Sequence, residues 1–146
     1  MRVLGIDYGT KRLGLAVSDE TGVLASPLPT LHRTEEAEDL RRIASIVAER
    51  GVTSIVVGLP INMDGTHGPM CQEVREFSAR IADESGVPVD TFDERLTSME
   101  AERVLIEAGI QRKRRKGIRD GLAAVLILQG FLDRCRHTTS ESPPSS

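Results

Sequence analysis

The sequence predicts an α/β fold in which one mixed β-sheet carries helices on its faces. Three short extended segments separated by turn residues come first, and two strand–helix units follow them. The chain then ends on amphipathic helical segments, so the predicted order is βββαβαβαα. We expect the last two strands to join the first strand in parallel through right-handed crossovers.

The first three strands are predicted from short apolar runs bounded by turn residues. Residues 3–6 and residues 13–17 flank a short, turn-rich segment and are expected to form a hairpin. Residues 23–31 are also extended, but Pro27 and Pro29 each lack an N–H donor. This third strand must therefore lie at a sheet edge or partly outside the sheet.

Helices and strands alternate over the rest of the chain. A helix over residues 35–50 is predicted from apolar side chains at helical spacing, acids in its first turn and Gly51 at its end. A capping box at residues 97–100 opens a later helix. The remaining predictions are a strand at 53–58, a helix at 69–85, a strand at 87–92, and helices at 97–108 and from 117 or 118 to about 134.

Composition bounds the class of protein. The 146 residues are 39% hydrophobic and 28% charged but only 3% aromatic, which predicts a soluble domain with an aliphatic core. No apolar run approaches the length that spans a bilayer, and an early acid argues against a signal peptide. We expect a cytoplasmic protein with one domain over residues 1–135 and a disordered Ser/Pro-rich tail over residues 136–146.

Acidic residues end two of the predicted strands. Asp7 ends the first buried strand, at the side of an α/β sheet where ligands bind. A carboxylate there is costly unless it is paired or holds a metal, although it can also cap the following turn. Asp93 and Glu94 end the fifth strand, where alternation lets only one of them face Asp7 and leaves Arg95 to pair with the other.

A third acid, Asp120, begins the last helix. Ala124, Ile127 and Phe131 follow it along one apolar face, which predicts that Asp120 faces the sheet rather than only complementing the helix dipole. Three acids that converge on strand ends suggest a divalent metal site, and oxygen ligands favour Mg²⁺ or Mn²⁺. Such ions clamp the attacking and leaving oxygens when a phosphodiester bond is cleaved.

A basic loop precedes the last helix in a chain whose net charge is −3. Its position beside the predicted metal site favours binding to a phosphate backbone over a merely solvated charge run. We expect Lys11 and Arg12 of the first hairpin to join this surface. Because aromatic residues are scarce, recognition should depend on backbone and shape rather than base stacking. The loop consists of Arg112, Lys113, Arg114, Arg115 and Lys116.

Four ordered segments resemble the YqgF/RuvX family, whose members are named as Holliday junction resolvases or pre-16S ribosomal RNA nucleases. They are GIDYGTKRLGLAVSD at residues 5–19, IVVGLPINMDGTHG at 55–68, FDERLTSMEAE at 92–102 and RKRRKGIRDGLAAVLILQGFL at 112–132. The resemblance covers residues 1–134. It implies an RNase H-like fold, with a five-stranded mixed sheet in the order 3-2-1-4-5 flanked by helices.

The same resemblance implies functional residues. The catalytic and metal-binding acids fall on Asp7, Glu94 and Asp120, with Asp93 as the alternative to Glu94. Substrate contacts fall on Arg12, Asn62, Arg95 and Thr97. The implied protein is a nuclease dependent on Mg²⁺ or Mn²⁺ that processes the 5′ end of pre-16S ribosomal RNA.

Two other functions stay open from the sequence. One is a Holliday junction resolvase acting on branched DNA, for which a homodimer would match the two-fold junction. The other is a non-catalytic nucleic-acid-binding factor that keeps the fold. Backbone contacts read RNA and DNA alike, so the basic residues do not separate these substrates.

Overall fold

The computed structural model describes residues 1–96, Gly109 and residues 112–141, with side chains for 1–96, Gly109 and 122–136. Five strands and three helices follow one another along this part of the chain. They are β1 (Val3–Tyr8), β2 (Arg12–Ser18), β3 (Ala25–His32), α1 (Glu36–Arg50), β4 (Ser54–Leu59), α2 (Pro69–Ser85), β5 (Val89–Asp93) and α3 (Arg112–Glu141).

The five strands form one mixed sheet in the order β3-β2-β1-β4-β5. β1 pairs antiparallel with β2, and β2 pairs antiparallel with β3. β4 lies parallel to both β1 and β5. The predicted fold class and strand order are therefore confirmed. β3 is an edge strand, where Pro27 and Pro29 are tolerated because one side of the strand needs no ladder hydrogen bonds.

Helices α1 and α2 cover one face of the sheet, here called the α1/α2 face. Ile43 of α1 and Phe77 of α2 are buried there against the strand residues Leu4 and Ile55. Both helices end at glycines, Gly51 and Gly86, which adopt left-handed φ angles of 65° and 75°. The predicted ends of both helices are confirmed, because glycine takes this conformation without steric cost.

Helix α3 covers the opposite face, here called the α3 face. Ile127, Leu128 and Leu132 of the helix are buried against Val56 and Phe92 of the sheet. Gly5 of β1 permits this close packing, since a Cβ added there would lie 2.7 Å from the Leu128 Cβ. Most of the buried helix side chains lie at positions 127, 128 and 132, whereas the predicted face included the half-buried Phe131.

Helix α3 begins earlier and ends later than the sequence predicts. The basic segment, residues 112–116, was expected as a loop but is the first part of α3. Lys and Arg are good helix formers, and a glycine inside a helix, such as Gly117, costs only about 1 kcal/mol, so neither stops the helix. The helix continues to Glu141, beyond the predicted end near residue 134 and into the segment 136–146 that was expected to be disordered.

Smaller differences concern the strand ends. β1 extends through Tyr8, so Asp7 lies inside the strand rather than in the following turn. β5 runs from Val89 to Asp93, which places Asp93 within the strand and Glu94 directly after it. The helix predicted over residues 97–108 lies outside the described residues. Among the helices in the described part of the chain, none combines the length and apolarity needed to cross a bilayer.

Candidate active site

The carboxyl ends of β1 and β5 bring two acids together. Asp7 lies near the end of β1, and Glu94 directly follows β5, with β4 running between these two strands. The side chains of Asp7 and Glu94 share a hydrogen bond, and both residues are only partly exposed. The structure thus joins the first predicted acid to Glu94.

Glycines on the two strands beside β1 make room for this pair. A Cβ at Gly58 of β4 would lie 2.5 Å from Glu94 Oε1 and 2.5 Å from Ile127 Cδ1. A Cβ at Gly14 of β2 would lie 3.3 Å from the Asp7 Cβ. Neither glycine had a role in the sequence-based prediction, although an isolated glycine inside a strand often indicates the close approach of another group.

Burial and charge repulsion raise the pKa of the Glu94 carboxyl. Burial, the neighbouring Asp7 charge, the hydrogen bond between the two carboxyls and the more distant Asp93 raise the pKa of Glu94 from 4.5 to about 7. Two ionised carboxylates in contact repel each other, so a shared proton or a bound cation is needed to stabilise the pair. The pair is therefore a ready acceptor for positive charge.

Asp93 is directed to a different partner. Its carboxylate accepts hydrogen bonds from Arg95, with the Asp93 Oδ2 to Arg95 Nη2 distance at 2.7 Å and the Arg95 backbone N–H at 2.9 Å from Asp93 Oδ1. These bonds hold the pKa of Asp93 below its ordinary value. The sequence predicts that only one of Asp93 and Glu94 faces Asp7 and that Arg95 pairs with the other. The structure has this arrangement, with Arg95 paired to Asp93.

The loop between β4 and α2 packs beside Arg95. Within it, Asn62 Nδ2 donates to Thr66 Oγ1 at 2.9 Å, and Asp64 accepts from the Thr66 backbone N–H at 2.9 Å. Arg95 Nη1 reaches the Asn62 carbonyl oxygen at 3.5 Å. Asn62 and Arg95 therefore organise the rim of the site, and their expected contact with nucleic acid remains a prediction.

Lys11 of the β1–β2 turn and Arg12, the first residue of β2, are two cations next to Asp7. Lys11 and Arg12 are exposed and lie on the same cavity wall as Asp7. Arg33 holds this turn in place, since its Nη1 donates to the Gly9 carbonyl at 3.1 Å and its backbone N–H donates to the Lys11 carbonyl at 2.9 Å. Sequence reasoning missed Arg33, because nothing in the local pattern shows that it reaches back to this turn.

Several predicted site residues fall outside the described side chains. Asp120 belongs to α3, one turn before the buried Ala124, but its side chain is not among those described. The same holds for the basic segment, while Thr97 lies outside the described residues altogether. Within the described residues, no third His, Cys, Asp or Glu completes a metal cluster with Asp7 and Glu94.

The donor chemistry of the pair fits a divalent cation. Asp7 and Glu94 offer hard carboxylate oxygens, the ligands that Mg²⁺ and Mn²⁺ prefer. The buried side chains of Ile127 and Phe92 lie on the same face of the sheet. Low polarity around the acids strengthens the attraction between a bound cation and both carboxylates.

Comparison with known proteins identifies the family. Residues 1–134 match the family RuvX, described as Holliday junction resolvase. This chain belongs to the RuvX family. A relative from Symbiobacterium thermophilum, named "Putative pre-16S rRNA nuclease", is 45% identical over all 146 residues of this chain and covers 99% of its own length. A relative of the same name from Moorella thermoacetica is 48% identical, with 92% of this chain and 96% of the relative covered.

Solved structures confirm the fold of this RuvX-family chain. Thermus thermophilus RuvC in complex with a Holliday junction substrate aligns with a TM-score of 0.64 and 18% identity, over 95% of this chain and 97% of that one. The large terminase nuclease of phage G20c aligns with a TM-score of 0.55 and 13% identity, over 90% and 81% of the two chains. The sheet order and these similarities identify an RNase H-like fold.

Proposed function

We propose that this RuvX-family protein is a metal-dependent nuclease that hydrolyses phosphodiester bonds in nucleic acid. The observation that carries the proposal is the hydrogen-bonded pair of Asp7 and Glu94 at the strand ends. Two carboxyls held in contact are costly to a fold unless they share a proton or bind a cation. Family membership supports the same conclusion, because the relatives are named as nucleases.

Asp7, Glu94 and Asp120 would hold one or two Mg²⁺ or Mn²⁺ ions. When bound, such an ion polarises the phosphodiester and neutralises the charge that develops on its oxygens. Glu94 would have to be ionised to act as a ligand, so cation binding would be coupled to loss of its proton. Lys11 and Arg12 bind the phosphates that flank the reacting one, and Gly58 leaves space for Glu94.

The relatives' names favour precursor 16S ribosomal RNA as the substrate. We propose cleavage at its 5′ end, as the sequence resemblance implies. Holliday junction DNA is the second candidate, favoured by the family's description. The first reaction needs only one copy of the chain, whereas two symmetric cuts in a junction need a homodimer. We place the protein in the cytoplasm. We assign the nuclease to residues 1–135 and no catalytic role to residues 136–146.

A cleavage assay tests the proposal and separates its substrates. Labelled pre-16S ribosomal RNA, unstructured RNA of equal length and a four-way DNA junction are each incubated with Mg²⁺, with Mn²⁺ or with EDTA. We expect metal-dependent cutting by the wild type and at least a 100-fold loss in Asp7→Asn and Glu94→Gln. The preferred substrate then decides between RNA processing and junction resolution.

Asp93→Asn is the matched control, because Asp93 neighbours Glu94 but pairs with Arg95. We expect the cleavage activity of Asp93→Asn to fall less than tenfold. Cutting that survives both Asp7→Asn and Glu94→Gln would indicate a contaminating nuclease. Tight binding without metal-dependent cutting would reject the nuclease and favour a non-catalytic binding factor.

A further inference from the structure

A cavity of about 720 Å³ opens directly beside Asp7 and extends away from Glu94, over β2 and β3. Its volume lies in the range of small-molecule and cofactor sites. Thr10, Lys11 and Arg12 line the cavity together with Asp7, and Thr30 and His32 of the edge strand β3 also belong to its lining. None of the β3 residues entered the predicted site.

Strand register explains why these side chains share one wall. Asp7 pairs with Gly14, and Arg12 pairs with His32, across neighbouring antiparallel strands. Leu13 and Leu31, the sequence neighbours of Arg12 and His32, are buried in the α1/α2 face. Since successive strand residues point to opposite faces, Arg12 and His32 both lie on the α3 face with Asp7.

The cavity combines an apolar floor with a polar rim. Pro27, Leu28, Ala124 and Val125 supply apolar surface, while the rim carries the two cations next to Asp7. Asp7 is the only carboxylate among the described residues that line it, and none of these residues has a phenyl, phenol or indole ring. The lining therefore suits a ribose or deoxyribose and its phosphate better than a stacked base.

We infer that this cavity is a nucleotide subsite, which holds the sugar–phosphate unit next to the scissile phosphate on one side only. The inference rests on the proposed function, because Asp7 and Glu94 must mark the point of cleavage. The bound nucleic-acid strand would run from the acids across Arg12 to His32. Its phosphates would therefore lie next to the Arg12 cation as the strand leaves the metal site. Arg33 keeps the wall formed, because it is bonded to both ends of the Gly9–Lys11 turn.

Filling the cavity tests the subsite directly. In an Asp7→Asn background, which prevents cutting, Thr30→Trp places a large side chain in the cavity. Ser26→Trp is the matched control: Ser26 is an exposed residue of the same strand, but its partner Val17 packs against the α1/α2 face. Binding of fluorescent RNA and DNA oligonucleotides is measured by anisotropy, after the wild-type cleavage position has been mapped.

We expect Thr30→Trp to weaken binding at least tenfold and Ser26→Trp to change it less than twofold. Removing the nucleotides on one side of the mapped position should abolish this difference, whereas removing those on the other side should preserve it. A loss with RNA alone would assign the subsite to ribose, and equal losses would assign it to either sugar. Equal binding by Thr30→Trp and Ser26→Trp would overturn the assignment of the subsite. The same holds if Thr30→Trp weakens binding to every shortened oligonucleotide.

A charge-neutral linkage tests the role of Arg12. A methylphosphonate at the linkage next to the cleavage position should weaken binding to the protein that retains Arg12. It should not weaken binding to Arg12→Ala, because that variant has already lost the cation that pairs with this phosphate. Additive losses would overturn the assignment of Arg12. If the Asp7→Asn protein with the native cavity binds neither RNA nor DNA, the proposed function itself fails. If it binds nucleic acid and Thr30→Trp does not weaken this binding, only the subsite fails.

Discussion

At the scale of single residues, the environment of each acid decides its chemistry. Asp93 and Glu94 are neighbours in sequence, yet one contacts a guanidinium and the other a second carboxyl. Their pKa values consequently shift in opposite directions, Asp93 downward and Glu94 upward. Neighbouring acids whose pKa values shift in opposite directions are typical of functional sites.

The raised pKa of Glu94 predicts a stability change in Glu94→Gln. Between pH 4.5 and about 7 the folded metal-free protein holds a proton that the unfolded chain releases, so the free energy of unfolding falls as pH rises through this window. In EDTA at pH 8 we expect Glu94→Gln to be about 1–3 kcal/mol more stable than the wild type. Urea denaturation at pH 5 should show a much smaller difference.

Asp93→Asn should give the opposite sign in the same experiment. The lowered pKa of Asp93 contributes stability above its unfolded value, which is lost as pH falls, so removing the charge destabilises the protein at pH 8. A destabilised Glu94→Gln protein at pH 8 would contradict the assigned repulsion between Glu94 and Asp7.

At the scale of elements, a buried ion pair joins β3, α1 and the β1–β2 turn. Arg33 Nε donates to Asp39 Oδ2 at 3.0 Å, and the Asp39 side chain is 0% exposed. The guanidinium also lies 4.9 Å from the centroid of the Tyr8 ring. These contacts connect the edge strand and the first helix to the strand that bears Asp7.

Arg33→Met should lower the free energy of unfolding, because Asp39 is buried. It leaves the Asp39 carboxylate without its guanidinium, so we expect a loss of about 3–5 kcal/mol in the free energy of unfolding. Arg33→Met with Asp39→Asn should recover most of it, since a neutral amide still accepts the Thr34 N–H. Additive losses in this double-mutant cycle would show that the two side chains are not coupled.

The basic segment at the start of α3 permits a second prediction at this scale. Arg114→Ala with Arg115→Ala should weaken nucleic-acid binding and reduce the slope of log K against log salt by about one to two. The matched control is Arg80→Ala, because Arg80 pairs with Glu36 on the α1/α2 side of the sheet. An unchanged salt slope in the double variant would remove the segment from the binding surface.

At the scale of the whole molecule, two apolar layers among the described residues cover the two faces of the sheet. The layer under α3 ends at Leu132, which is 0% exposed, and Asp133, Arg134 and Arg136 beyond it are exposed. Within the described side chains, the core is thus complete well before the end of the chain.

A chain that ends at Arg136 should therefore retain its fold. We expect its free energy of unfolding to stay within about 0.5 kcal/mol of the full chain, and its cleavage rate to be unchanged. A chain that ends at Phe131 is the control, because it removes the buried Leu132 and should lose at least about 2 kcal/mol. A large loss in the chain that ends at Arg136 would assign a structural role to residues 137–146.

Local signals in the sequence determined most of the fold. Turn residues and prolines placed β3 at the edge, and glycines ended α1 and α2, because these residues restrict the backbone wherever they occur. The acids Asp7 and Glu94 were also identified, though with Asp93 as an alternative to Glu94. The basic segment is predicted as a loop but is the first part of α3, because Lys and Arg are good helix formers.

Contacts between distant segments decided the rest. Only the sheet shows that Glu94, and not Asp93, meets Asp7, since that choice depends on which face the end of β5 presents. Only the fold brings Arg33 back to the β1–β2 turn and His32 beside Arg12. Local propensity acts over a few residues, whereas these contacts join residues up to 87 positions apart, and only tertiary packing brings such residues together.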